Sequence, residues 1–228
     1  MKPILLDSIP FEPDLSALLA GLRLREGSAH ARAFLALLEE ARKVARPKAL
    51  FRPAYIEARG PDYVCVDGVR LASRVLAVNL EETGRVFPFI ATCGLELDAW
   101  ARQIEDLLER YWANAILEAA LYGAVQTLLR SVDEAFELTQ ASMMNPGSLE
   151  DWPLTQQREL FALLPEAEAA TGVRLNPSCL MIPTKSVSGL RFPLSGSFES
   201  CQLCPREACH NRRAPYDPHL FAQKFALE

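Results

Sequence analysis

No apolar run in this sequence approaches the roughly 20 residues that a helix needs to cross a bilayer. The opening Met1-Lys-Pro-Ile-Leu-Leu-Asp7 breaks off too soon for a signal peptide, so the expected compartment is the cytoplasm. There is no long basic block, and the net charge is -5, which argues against nucleic acid as the main partner. No repeat, low-complexity tract or linker marks a domain cut. The three histidines, His30, His210 and His219, make neither a metal pattern nor a catalytic triad. Half of the residues are hydrophobic, which excludes a disordered chain. At 228 residues the chain is long enough to bury a sizeable core.

Periodicity outlines the elements. Phe34, Leu35, Leu38, Ala41 and Val44 form one stripe between residues 28 and 46, the pattern of an amphipathic helix. Phe51, Tyr55 and Ile56 read as strand. Tyr63-Val-Cys-Val66 and Val69-Arg-Leu71 flank Asp67-Gly68, a short-range hairpin signal. Residues 73–80 read as a short helix, and residues 86–92 as a buried central strand ending at Cys93-Gly94. Residues 95–138 read as a long helical segment with a break near residues 110–113. Its two apolar stripes are separated by the small residues Ala113, Ala115, Ala119, Ala120, Gly123 and Ala124, which suit close helix packing. Beyond it, Met144-Asn-Pro-Gly147 reads as a turn, residues 155–164 as a helix, residues 173–175 and 180–182 as short strands, and Ser186-Val-Ser-Gly189 as a connection into a last strand at residues 190–194.

The expected architecture is α+β, a twisted antiparallel sheet with long helices packed across it, in one domain. Residues 1–48 supply N-terminal helices, 49–195 the α+β core and 196–228 a cysteine-bearing tail.

Three of the six cysteines fall within nine residues of that tail, Cys201-Gln-Leu-Cys204-Pro-Arg-Glu-Ala-Cys209. Two thiolates with two residues between them can bend around one centre, and a third four residues on can close a further position. In a reducing compartment such clustering points to metal ligation or redox work rather than disulfides. Zinc needs a closed set of four ligands, with Cys179, His219 and His210 as the available additions; His210 directly follows Cys209 and would point away. An iron–sulfur cluster can carry an electron, which zinc cannot; as a 4Fe–4S cubane held by the three tail thiolates alone it would keep one open iron site. Cys65 and Cys93 read as small core residues.

Three motifs together carry a family resemblance: Asn145-Pro-Gly-Ser-Leu-Glu-Asp-Trp152-Pro-Leu-Thr-Gln-Gln-Arg-Glu-Leu-Phe161, Gly172-Val-Arg-Leu-Asn-Pro-Ser-Cys-Leu-Met-Ile-Pro-Thr-Lys-Ser-Val-Ser-Gly189, and Cys201-x2-Cys204-x4-Cys209-x2-Arg212. Over residues 89–213 the chain resembles the activation domain of vitamin B12-dependent methionine synthase, and more closely its small stand-alone relatives with a similar cysteine motif. The resemblance implies an accessory role in returning an oxidised Co(II) corrinoid to its active state. The expected partners are a corrinoid-binding protein or cobalamin-dependent methyltransferase and an electron-donor protein. Iron–sulfur electron delivery is the leading reading of the cysteines; a zinc-stapled, non-redox binding module and an S-adenosylmethionine-binding methyl-transfer component are the alternatives.

The family's adenosylmethionine pocket is marked by an Arg-x-x-x-Gly-Tyr stretch. Here it reads Met143-Met-Asn145-Pro-Gly147-Ser148, which removes the cation that would pair with the ligand's carboxylate. Glu118 matches an acidic residue of the family's long helix by position. Asn145, Gly147, Ser148, Lys185, Ser186 and Ser188 are the remaining groove candidates by the same resemblance. Trp152 borders that groove in the family and reads here as a core or rim aromatic. Arg206, Arg212 and Arg213 read as an exposed charged face able to steer an acidic partner.

Overall fold

The computed structural model describes residues 2–194, 198–206, 208–209 and 212–225. His210 and the expected boundary between core and tail at residues 195–196 lie outside them. Its centre is β6 (Arg85–Thr92), seven of whose eight residues are buried, as expected for a strand covered on both faces. On one edge β6 pairs antiparallel with β2 (Lys48–Phe51) and then β3 (Ala54–Gly60), which follow one another across Pro53. On the other edge it pairs with β10 (Ser186–Pro193), which in turn pairs with β7 (Ala141–Met144). A short β1 (Ile4–Leu6) extends the sheet beyond β2, and the β4 (Tyr63–Val66) and β5 (Val69–Ala72) hairpin extends it beyond β3. Asp67 and Gly68 both take positive φ, 42° and 79°, as a two-residue primed turn requires.

Side-chain alternation assigns the faces. Ala49, Phe51, Phe87, Phe89, Ala91 and Met143 pack against Ala124, Leu128 and Val132 of α5 (Leu107–Ala135). On the opposite face Leu50 and Ile90 meet Leu164, Ala167 and Val173, around α7 (Ala167–Thr171). Leu190, Phe192 and Met144 join a cluster with Leu76 of α3 (Arg74–Asn79), Trp152, Leu160 of α6 (Gln157–Ala162) and Phe225. Phe34 and Leu38 of α2 (Ala29–Val44), which Ser28 caps, pack with Leu97 of α4 (Leu95–Arg102) and with Trp112 and Ile116 at the start of α5, and Leu18 and Leu19 of α1 (Leu15–Gly21) lie against the same cluster. The α+β architecture read from the sequence is the one observed.

Three elements differ from the sequence reading. The long helical segment breaks earlier, between residues 102 and 107, where Asp106 caps α5 by accepting the Leu108 and Glu109 backbone N–H groups. Residues 186–189 are not a connection but the first half of β10, because β6 supplies a ladder partner for each of them. The short strand β1 lies where the sequence suggested helix, while β7 runs into the expected turn and covers residues 141–143, to which the sequence pattern assigns no element. Within the later motifs, the two-residue strands β8 (Arg174–Leu175) and β9 (Met181–Ile182) pair antiparallel as a separate ribbon. No described helix is long and apolar enough to cross a membrane.

Candidate functional site

Register places Lys48, Thr92 and Ser186 side by side across β2, β6 and β10, at the end of the central strand. The Ser186 hydroxyl is 2.9 Å from that of Thr92. One residue earlier, Lys185 Nζ lies 3.4 Å from Glu118 Oε2 on α5, so two candidates 67 positions apart meet as an ion pair. The Lys185 side chain is 25% exposed and that of Glu118 42%, which leaves the pair reachable from solvent. The Lys185 carbonyl also accepts the Cys93 N–H.

A second group forms around β7 and β10. Asn145 donates from Nδ2 to the Ser188 carbonyl at 2.7 Å, and the Ser188 hydroxyl is 2.5 Å from Gln157 Oε1. Gly189 makes the first of these bonds possible: a Cβ there would stand 2.5 Å from both Asn145 Nδ2 and the Met144 carbonyl. Gly147 takes φ 83° and donates to the Trp152 carbonyl, while the Ser148 N–H closes a turn onto the Asn145 carbonyl. The candidates thus divide in two. Lys185 and Glu118 belong to the α5 side, whereas Ser188 is buried toward α6.

Much of the motif at residues 145–161 has structural work. The Asp151 carboxylate accepts the Arg74 and Val75 N–H groups and the Ser73 hydroxyl, holding the start of α3. Gln156 Oε1 accepts the Ala72 N–H at 2.7 Å. Trp152 has no exposed surface, so it is a core residue and presents no ring to a groove. Met143, which stands where the family has arginine, is buried against α5 and offers no cation to a ligand. Two partners of the site, Thr92 and Gln157, were not singled out in the sequence; only the register of β6 with β10 and the packing of α6 reveal them.

Cys93 is buried, and its thiol is pushed up to about 12 by that burial, with Asp98 adding to the effect. It stays protonated at neutral pH and is no nucleophile there. Cys179 is also buried, with φ 63° and its sulfur 3.2 Å from Arg158 Nε. Cys201 lies within a 3-10 turn, Ser200–Leu203, and Cys204 follows it, its N–H bonded to the Cys201 carbonyl. Cys204 and Leu203 pack against the core cluster of Trp152 and Phe225, and Cys209 is half-buried. Among the described residues no three His, Cys, Asp or Glu side chains gather where one metal ion could sit, with or without Cys179. His219 is exposed, its N–H bonded to Asp217.

Arg212 is not part of an open charged face. It is half-buried and donates to the carbonyls of Cys201, Cys204, Arg206 and Ala214. Arg213 is more exposed and pairs with Glu199 at 3.0 Å. Two cavities lie away from the Lys185–Glu118 and Asn145–Ser188 groups. One, of about 900 Å³, opens between Tyr55, Arg85, Gln140 and Lys224; the other, of about 450 Å³, lies beside the tail between Leu149, Leu203, Tyr216 and Phe221.

No family model matches the sequence. No curated protein matches it either. Among solved structures, the MetH reactivation domain bound to AdoHcy matches with a TM-score of 0.60, at 17% identity, covering 88% of this chain and 81% of that one. The likeness is one of fold, and this chain has the fold of the MetH reactivation domain.

Proposed function

We propose that the protein is an accessory for reactivating a corrinoid-dependent methyltransferase or methionine synthase. The fold shared with the MetH reactivation domain over 88% of the chain carries this reading. The meeting of Glu118 with Lys185, and of Asn145 with Ser188, supports it, since the residues matched to the family's groove come together in pairs. The partner is a corrinoid-binding protein, docking where the central strands end, and a separate electron donor supplies the reducing equivalent.

The tail cysteines are the proposed ligands of an iron–sulfur centre, zinc being the alternative. Cys201-x2-Cys204-x4-Cys209 has suitable donors and spacing, but as placed the described residues do not gather three of them around one point. Cys179 is engaged with Arg158 and joins no such group. The arrangement does not fit the centre without movement of the tail, and no step of the proposed function depends on it.

A second reading is an adenosylmethionine-type ligand, favoured by the AdoHcy bound to the matching domain. Against it, buried Met143 provides no partner for the ligand's carboxylate, and Lys185 already pairs with Glu118.

The test is recovery of methyl transfer by a cobalamin-dependent methyltransferase trapped as Co(II), supplied with a chemical reductant and S-adenosylmethionine. Addition of the protein should raise the recovery rate at least tenfold. Recovery equal to that with an unrelated protein at the same concentration would refute the proposal. Calorimetric titration with S-adenosylmethionine decides the second reading.

A further inference from the structure

The tail folds around a cationic side chain. Arg212 Nη1 donates to the Cys201 carbonyl at 2.9 Å and to the Ala214 carbonyl at 3.0 Å. Its Nη2 donates to the Cys204 carbonyl at 2.9 Å and to the Arg206 carbonyl at 2.5 Å. A guanidinium presents its donors in a rigid planar fork, so one side chain can fix several carbonyls, where a lysine ammonium is a single compact point on a flexible stem. Hydrogen bonds from a charged donor are also stronger than those between neutral groups.

Neighbouring contacts complete the loop. Gln202 accepts the Asp217 N–H at 2.8 Å through its carbonyl, and its side chain accepts the Glu199 N–H. Arg213 ties back to Glu199, and its own N–H points at the Cys201 sulfur at 3.5 Å. Leu203 and Cys204 lie on the core.

From this we infer that Arg212 is the staple of the tail, a positioning residue that performs the structural task a zinc ion performs in a zinc-held loop. The thiols of Cys201, Cys204 and Cys209 are then not needed to hold the loop together and are available for other chemistry. The inference does not rest on the reactivation reading, and it opposes the zinc-stapled alternative directly. Zinc-held loops unfold when the metal is removed; a loop held by arginine does not.

The experiment compares amide hydrogen exchange of residues 199–217 in the full chain before and after exhaustive chelation with EDTA under reducing conditions. The same measurement is made on R212A and R212K, with metal content determined in each sample. Chelated wild-type protein should keep its exchange rates within twofold. R212A should exchange at least tenfold faster across residues 199–217, with the β6 amides unchanged as a check on the fold, and R212K should restore little of the protection. The Cys201 and Cys204 thiols should alkylate faster in R212A, with Cys65 as an internal control. Loss of protection on chelation alone, or R212A rates equal to wild type, would overturn the inference. The metal analysis stands apart: bound iron in a tail that survives chelation leaves Arg212 as the staple, and absence of metal removes the cluster proposal without touching it.

Discussion

At Thr92 the chain has a ladder partner on each side, Lys48 and Ser186, and no exposed surface; at Cys204 a single side chain from elsewhere in the tail, Arg212, ties the backbone through its carbonyl. The strand end is positioned by many weak contacts that reinforce one another, and the tail by a few bonds to one guanidinium. Removing one contact from the first should be felt in proportion to burial. Removing the hub of the second should free a local segment and leave the rest standing.

The comparison breaks first at the core. W152A removes a side chain with no exposed surface from the cluster that also receives Cys204, and should destabilise the protein by about 3–5 kcal/mol in chemical denaturation. A much smaller loss would place Trp152 outside the core. Next is the bidentate pair of Arg191 with Asp133, at 3.0 and 2.6 Å, which joins β10 to α5. Their side chains are 15% and 28% exposed, so D133A should cost about 3 kcal/mol by leaving Arg191 half-buried and unpaired. G189A should cost about 1–3 kcal/mol through the collision with Asn145 and the Met144 carbonyl, and a G189A/N145A double variant should recover only the part due to the side chain.

Cys93 gives a pH test of burial in the same region. Its folded value is raised from 9.0 to about 12, so its protonated thiol contributes stability that is intact below pH 9 and is lost as pH rises from 9 toward 12. Denaturation midpoints of the wild type should therefore fall more steeply over that window than those of C93A. Parallel profiles would show that the thiol is not held protonated by the fold. The smallest stability effect belongs to E118Q. The 3.4 Å pair with Lys185 is partly exposed and contributes less than about 1 kcal/mol, yet reactivation of the corrinoid partner should drop severalfold if this edge is the docking site. An unchanged reactivation rate would move the docking site elsewhere.

Legibility followed the locality of the signal. The Asp67-Gly68 hairpin and α2 were readable because a turn dipeptide and an apolar stripe at helical spacing are written within a short stretch of sequence. The break before α5 was misplaced because its cause is one carboxylate, Asp106, inside a stretch whose apolar stripes run on either side of it. The first half of β10 looked like a connection because Ser186, Ser188 and Gly189 are weak strand formers; the ladder with β6 overrides that preference. For the candidate site, the resemblance supplied Glu118, Lys185 and Asn145, but not the hydrogen-bond partners Thr92 and Gln157, which are visible only once register is fixed. The cysteine spacing was conspicuous, whereas the role of Arg212 depends on four carbonyls that leave no trace in residue identity.

Alternation along β10 has a geometric corollary. Lys185 meets α5 while Ser186, half-buried and bonded to Thr92, is turned to the opposite face, so these groups open onto opposite sides of one strand. A molecule touching both sets could not lie flat on either broad surface. It would have to approach head-on along the strand axis, straddling the rim where Thr92 and Ser186 finish their pairing, with one flank against the long helix and the other against the short ones.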